Sequence, residues 1–500
     1  MTFSKALCHP LPKMFSPNTL NSNSTPPVLA GFFGGDEAIA AMSTIQYYKG
    51  RKFMGFYNSP GGFRMAKHYG RLAKSRIWRG FYPDACLEPA EVFSLNGSPG
   101  EVYPDYFGAK NGVVMKHTGH LAYLFLRKMR HEASFTLFES TRKTRPAKVT
   151  IVKLGAINLP EGHVHYPAPL RHFVLLFNVC TILASLAAAI ISGLYKDWYA
   201  FSLILLGIIV NGVACFVLGS GRIKVNFVTP PQSSLPGDGL MTMGDDLMIV
   251  LGEENAIFQI TRGSISVEFP AWVKWNDYFV IGACCLLSTL QFLVQLFLIP
   301  QATLFGQILF LCSFGVSFLF NTYLSAIDKG DLQRETLGNK VWNVGKDAVK
   351  GYEFQNWTTA VIAMFYILEP SKDEVLAKHL LDRLLPNQNP EWNAFKTKLL
   401  ETYRNVGPKA GNVPSDEQSK VVQNMYKDWS DADKFFNEVY KARHDYRTTS
   451  HLGPHNRHNG TAGAEGTGGI SASAPTPSTK PPSFIHVPTP PPEDRGFNMK

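Results

Sequence analysis

Phe173–Leu194 reads FVLLFNVCTILASLAAAIISGL, and after only Tyr195-Lys196-Asp197 the chain resumes as WYAFSLILLGIIVNGVACFVL over Trp198–Leu218. Two further stretches, Tyr278–Ile299 and Thr303–Tyr323, have the same character: none of the four holds an Asp, Glu, Lys, Arg or His. At about 1.5 Å rise per residue each makes roughly 32 Å of helix, enough to cross a hydrocarbon core of about 30 Å. A charge at the bilayer centre costs about 2.5–3.5 kcal/mol on insertion scales, whereas a helix on a soluble core keeps a polar face. Four charge-free windows therefore predict transmembrane helices. The turns, Tyr195-Lys196-Asp197 and the few residues around Pro300-Gln301, force antiparallel neighbours. The expected fold is an α-helical polytopic membrane protein with four transmembrane helices in two antiparallel hairpins, packed as a bundle. It carries a small mixed α/β cytoplasmic insertion and a mainly helical cytoplasmic C-terminal domain.

The bulk composition conceals this. The 500 residues are 45% hydrophobic and 18% charged, and seven cysteines exclude a disulfide-framework secreted domain. The net charge of +10 is uneven: residues 1–150 hold 20 Lys+Arg against 9 Asp+Glu. Orientation follows the cations near the span ends. Arg142, Lys143, Arg145, Lys148, Lys153 and Arg171 precede the first span, and Lys329, Arg334, Lys340, Lys346 and Lys350 follow the last. Arg222, Lys224, Arg262 and Lys274 lie in the central connection, while the opposite side has only Lys196. Both termini and the middle segment are expected to be cytoplasmic. The sequons at Asn23, Asn96, Asn356 and Asn459 would then stay unglycosylated. Span length does not choose an organelle.

The chain divides into a basic, poorly patterned and largely disordered N-terminal region (1–145), a juxtamembrane segment (146–172), hairpin one (173–218), the insertion (219–277), hairpin two (278–323), a helical domain (324–445) and a disordered Pro/Gly/Ser/Thr-rich tail (446–500). In the insertion, Arg222–Val228 and Ser264–Phe269 alternate like strands, Leu247–Leu251 is a short apolar run, and Glu253–Thr261 has helix-start acids and a closing Arg262-Gly263. Asn276-Asp277 offers N-cap chemistry for the third span. In the helical domain, Trp357–Leu368 is apolar but too short to span. Ser371 with Glu374 forms a capping box, Pro390 begins another helix, and Ser415 with Gln418 caps a third.

The spans carry eight candidate polar positions: Asn178, Asn211, Gln291, Gln295, Gln307, Ser313, Ser317 and Asn321. Gln291 and Gln295 share a helix face, as do Ser313, Ser317 and Asn321. Such faces line a narrow solute path or serve as interhelical glue, and the second is the commoner use of small and amide residues. No intramembrane carboxylate, His or cation is present, which argues against proton coupling. Cys180, Cys215, Cys284, Cys285 and Cys312 lie in the spans without a CxxC spacing and read as packing residues. Asp238, Asp245, Asp246, Glu253 and Glu254 form an acidic run without an EF-hand pattern. The pairs His117/His120 and His163/His165, and the tail histidines His451, His455 and His458, lack ligand partners at matching spacing. No cofactor or metal is implied, and no residue is assigned a catalytic role.

Between Glu37 and Asp84 nine cations alternate with aromatics and no acid intervenes. Without an RNA- or DNA-binding motif, nucleic acid is a poor partner. Anionic lipid head groups at the cytoplasmic leaflet suit a polybasic segment of a membrane protein, but a disordered extension with no specific partner is the reading ranked first. Residues 1–35 have too few cations for a transit peptide and no apolar run for a signal peptide.

Pro146–Thr150 (PAKVT), Gly155–Pro169 (GAINLPEGHVHYPAP), Gly252–Gly263 (GEENAIFQITRG) and the LFGQILFL opening of the last span resemble an uncharacterised group of fungal integral membrane proteins, over roughly residues 146–403. The resemblance implies a polytopic protein of unknown function and supplies no activity or site residues. Three functions remain open. The first is a non-enzymatic scaffold binding protein partners through the helical domain and Pro-rich tail. The second is a channel or transporter for a neutral solute or lipid, for which a homo-oligomer is one build. The third is a lipid-modifying enzyme, ranked last because GxSxG, HExxH and P-loop patterns are absent.

Overall fold

The computed structural model describes residues 34–83, 87–97, 101–155, 172–228, 230, 235–338, 342, 344–370, 373–411 and 419–441. The Pro-rich tail, Ser371, Ser415, His163, His165, the tail histidines and the sequons at Asn23 and Asn459 lie outside them.

In chain order the elements are α1 (Gly35–Ile45), α2 (Gly62–Tyr69), α3 (Arg76–Phe81), α4 (Pro89–Val92), β1 (Asp105–Gly108), β2 (Val114–Met115), α5 (His120–Glu132), β3 (Phe135–Phe138) and β4 (Ala147–Leu154). Then come α6 (His172–Leu194), α7 (Trp198–Leu218), β5 (Arg222–Asn226), β6 (Gly239–Met243), β7 (Asp246–Gly252), α8 (Glu254–Arg262) and β8 (Ser264–Glu268). The chain closes with α9 (Ala271–Leu298), α10 (Leu304–Ser325), α11 (Lys329–Leu337), β9 (Val349–Phe354), α12 (Trp357–Leu368), α13 (Glu374–Leu384), α14 (Pro390–Val406) and α15 (Lys420–Lys434). Among the described residues four helices, α6, α7, α9 with its following turn, and α10, are long and apolar enough to cross a membrane. The third differs from expectation at its start. It begins at Ala271, and its backbone turns left-handed at Asn276, Asp277 and Tyr278 (φ 47°, 55° and 64°), so Asn276-Asp277 forms a kink instead of a cap.

Seven strands form one mixed sheet in the order β2-β1-β6-β7-β4-β9-β3. Its centre is parallel, with Val149 opposite Leu247 and Ile151 opposite Ile249, and β9 runs antiparallel to β4 with Tyr352 opposite Val149. Successive strand side chains point to opposite faces. Val149, Ile151, Leu247 and Ile249 enter the core under α12, while Val152, Met248 and Val250 enter the core shared with α5 and α8. Burial on both sides explains why LMIVL reads as an unbroken apolar run. The 12-residue α12 is buried along Thr359–Leu368, too short for a bilayer and consumed by the sheet core.

Two expectations are corrected here. The N-terminal region is not largely disordered over its described residues. Tyr47, Tyr48, Tyr57, Tyr69, Trp78 and Phe93 are core residues. Its first four helices are only 4–11 residues long, too short for a sustained period; α1 and α2 pack on each other and on α10 and α9, while the 13-residue α5 packs on α8 and α11. The insertion is not self-contained either: β5 and β8 pair together, but β6 pairs with β1 of the N-terminal region and β7 with β4 of the segment before α6, and β9, after α10, joins the same sheet on the other side of β4. One core runs from the sheet through α5 into Cys215, Ile281, Cys284 and Phe320 of the bundle.

Asp428 of α15 ties the helical layer to the sheet. It accepts from Asn356, the N-cap of α12, at 2.7 Å and from Arg142 at 3.1 Å. Burial raises its carboxyl to about 6, against the downward pull of Arg142 and Asn356. A carboxyl whose folded pKa exceeds its unfolded value of about 3.9 binds more protons in the native state, so its contribution to stability falls as pH rises from about 4 to about 6. Asp428→Asn removes that loss. Melting midpoints of the detergent-purified protein, followed over this window, should slope less in the variant; equal slopes would contradict the assignment.

Candidate functional site

The segment Gly55-Phe56-Tyr57-Asn58-Ser59-Pro60-Gly61 joins the Arg51–Phe53 turn to α2 and has no helix or strand hydrogen bonds of its own. It lies inside the helical bundle. Around it α7 packs on α6 and α9, α10 packs on α6 and α7, α1 lies along α10 and α2 along α9. Glycines on both partners permit this approach. A Cβ at Gly55 would strike the Cys215 side chain, one at Gly212 the Phe56 ring, and one at Gly207 the Asn58 amide. Gly61 has φ of 80° and turns the chain into α2.

An irregular backbone among apolar helices needs internal partners for its polar groups. Asn211 supplies them to the first part: its Nδ2 donates to the Gly55 carbonyl at 2.7 Å and to the Tyr57 carbonyl at 3.2 Å. Asn58 makes the centre. Its backbone N–H donates to Ser185 of α6 at 3.2 Å, and its Nδ2 donates to Ser313 of α10 at 2.9 Å. Gln295 of α9 donates to Asn58 Oδ1 at 3.4 Å and to the Leu203 carbonyl of α7 at 3.1 Å. The last part is held by Asn321, which accepts from Tyr57 at 2.8 Å and donates to Ser59 at 3.2 Å. One asparagine thus touches three of the long helices directly and the fourth through Gln295.

Of the eight sequence candidates, Asn211, Gln295, Ser313 and Asn321 converge on this segment, and Gln291 joins through a 3.0 Å bond from its Nε2 to Gln295 Oε1. Asn178 and Ser317 are buried, and among the described residues Asn178 Oδ1 and Ser317 Oγ have no hydrogen-bond partner. Gln307 stands apart, donating to the Ala302 carbonyl in the turn before α10. Sequence reasoning missed Tyr57, Asn58, Ser59 and Ser185. The signal was a glycine-flanked polar run, GFYNSPGG, which on its own reads as an ordinary loop.

Each end of the bundle has its own clasp. Asp197, buried in the turn between α6 and α7, accepts from Ala200 N–H at 3.1 Å as the N-cap of α7. It also accepts from the Thr303 N–H and hydroxyl at 2.8 and 2.6 Å, and Thr303 is the N-cap of α10. Burial alone would raise its carboxyl, but the bonds from Thr303, Ala200 and Tyr199 together hold it below the usual range. At the other end, buried Arg51 donates to the Gly219 carbonyl at 2.7 Å and to that of Gly221, just past the end of α7. A cation there also meets the negative end of the helix dipole.

The other sequence candidates do not assemble a reactive centre. Asp238, Glu253 and Glu254 line one cleft with Lys110, and most of the acidic run is taken up in pairs: Asp238 with Lys110, Asp245 with Arg145 and Asp246 with Arg130, while Glu254 accepts from Asn111. His120 is buried against Gln333 at 2.7 Å, and burial lowers its pKa. Cys215, Cys284 and Cys285 are free and buried, and Cys180 and Cys312 are free and exposed. Among the described residues no group of three or more His, Cys, Asp or Glu is placed to hold a metal. No family model, curated protein or solved structure matches this chain.

Asn58→Ala removes the side-chain bonds to Ser313 and Gln295 and leaves two buried polar groups without that partner, at about 1–3 kcal/mol each when unsatisfied. Asp197→Ala removes a helix cap and the tie to Thr303, about 1–2 kcal/mol for the cap alone. Both variants should melt earlier than wild type in detergent, whereas Gln307→Ala should stay close to it. Equal losses at all three positions would show that the convergence on residue 58 has no energetic weight.

Proposed function

We propose that the protein is a four-span integral membrane scaffold without enzymatic activity. Its apolar helices form two antiparallel hairpins in the bilayer, and its termini, sheet and helical layer lie on the cytoplasmic side. The supporting observation is the inside-out distribution of polarity. Phe173, Leu176, Leu183 and Ile190 of α6 are exposed, while Asn178, Thr181, Ser185 and Ser192 of the same helix are buried. A soluble bundle would reverse this, and a lipid-exposed one joins its helices through small and polar side chains. Exposed Tyr195, Trp198 and Tyr199 at one end of α7 suit a membrane–water boundary.

A scaffold is favoured over a channel or transporter because four of the eight polar positions that would line a path are spent on the chain itself. Asn211, Gln295, Ser313 and Asn321 all bond to residues 55–59. A lipid-modifying enzyme ranks below both because the sequence holds no GxSxG, HExxH or P-loop pattern. The kinship with function-unknown fungal membrane proteins over residues 146–403, homo-oligomer formation, and protein partners for the helical domain and the tail belong to the same proposal.

The protein should remain in the membrane pellet after carbonate extraction. A thiol introduced by Lys196→Cys should react with an impermeant reagent on intact cells or sealed right-side-out vesicles. One introduced by Lys378→Cys should react only after permeabilisation, with the native cysteines replaced in both. Release by carbonate would end the membrane reading, and the opposite labelling pattern would invert the topology. Flux of a small neutral solute through proteoliposomes, lost on Asn58→Leu substitution, would favour the transporter.

A further inference from the structure

The cations between Glu37 and Asp84 are not scattered by folding: two groups of them gather at one end of α7 and α9. The Arg51–Phe53 turn sits on the C-terminal end of α7 through the Arg51 bonds to Gly219 and Gly221. There the Phe53 and Phe216 rings lie 6.1 Å apart, the Lys52 ammonium stands 5.5 Å from the Phe216 ring centre, and Phe216 meets Trp272 at 6.1 Å. The helix α3 lies against the start of α9. Trp78 packs on Gly282 and stands 5.3 Å from Phe279, and the Lys74 N–H donates to the Asp277 carbonyl at 2.9 Å. Since α7 and α9 pack along each other, both attachments form one collar.

The outer surface of the collar is mixed in character. Phe53, Ile77 and Trp275 are 64%, 65% and 63% exposed, and Phe81 and Trp272 are exposed beside them. Among them stand exposed Arg76 and Arg79 and the half-buried Lys52 and Lys74. Lys274 is paired with Glu268 at 3.3 Å, and Asp277 is an exposed acid within the collar, so the net positive character comes from α3 and the turn before the bundle. The level is also defined. From Trp198 to Phe216 along α7 is 18 residues, or about 27 Å of helix at 1.5 Å each, close to a hydrocarbon thickness of about 30 Å. The collar therefore lies one bilayer away from the Tyr195–Tyr199 aromatics.

We propose that this collar is a docking surface for an anionic lipid leaflet. Lys52, Lys74, Arg76 and Arg79 take head-group phosphates and carboxylates, while Phe53, Ile77, Phe81 and Trp275 enter the acyl boundary. The inference rests on the membrane-spanning reading. Cations interleaved with exposed apolar side chains fit an interface that offers charge and hydrocarbon at adjacent depths. A free phosphate or a nucleic acid would leave the apolar half uncovered.

The test reconstitutes the full-length protein in nanodiscs made from an equimolar mixture of phosphatidylcholine and phosphatidylserine and measures, by mass spectrometry, which lipid is retained on gentle extraction. Wild type should retain phosphatidylserine preferentially. Lys74→Gln/Arg76→Gln/Arg79→Gln should lower that preference at least about tenfold, since each cation near an anionic surface contributes a factor of about five. The matched set Lys378→Gln/Lys398→Gln/Lys427→Gln should leave it unchanged. If the first triple variant does not fold, the wild-type preference measured at about 0.5 M salt should collapse by screening. Equal retention of both lipids by wild type, or equal loss in both triple variants, overturns the inference, as does displacement of the lipid by inorganic phosphate or RNA. A chain that carbonate strips from membranes ends both readings, whereas one that stays embedded without head-group preference ends this one alone.

Discussion

A short irregular segment, Gly55–Ser59, lies largely buried among helices whose outward side chains are apolar, so its backbone polar groups need partners within the chain. That requirement organises the bundle. Asn211, Ser185, Gln295, Ser313 and Asn321 each give a hydrogen-bonding group to it. In an apolar surround the alternative to these bonds is an unpaired polar group, costing several kcal/mol. The network accordingly specifies where the N-terminal segment docks and how the four long helices are spaced about it.

The same docking links the bundle to the sheet. The segment enters beside Arg51, which closes the end of α7, and leaves through α2 along α9. The core then continues through α5 to the inner strands. Strands from three separated parts of the chain share the sheet. In the proposed topology those parts all lie on one side of the bilayer, as a single sheet requires. Under that proposal the sheet and the helical layer would form one cytoplasmic body, with the collar of α3 and the Arg51–Phe53 turn facing the leaflet.

Legibility varied with the locality of the signal. Charge-free length identifies the four long helices because solvent choice acts on each helix alone. Arg222–Asn226, Asp246–Gly252, Glu254–Arg262 and Ser264–Glu268 match their patterns because alternation and helix ends are local as well. The eight polar positions were visible as exceptions within apolar runs, but their common target was not. Asn58 bonds Ser185, Ser313 and Gln295 from 127, 255 and 237 residues away. The N-terminal region misled for a related reason. Its first four helices bury aromatics against distant partners, and such burial leaves no period in 4–11 residues.

Composition alone therefore determined the solvent suited to each segment, since the transfer cost of a charge or an apolar side chain belongs to that residue. Tertiary structure decided which polar groups meet. A hydrogen bond needs two partners within about 3 Å, and only the folded chain brings an N-terminal loop, four helices and three sets of strands to that distance.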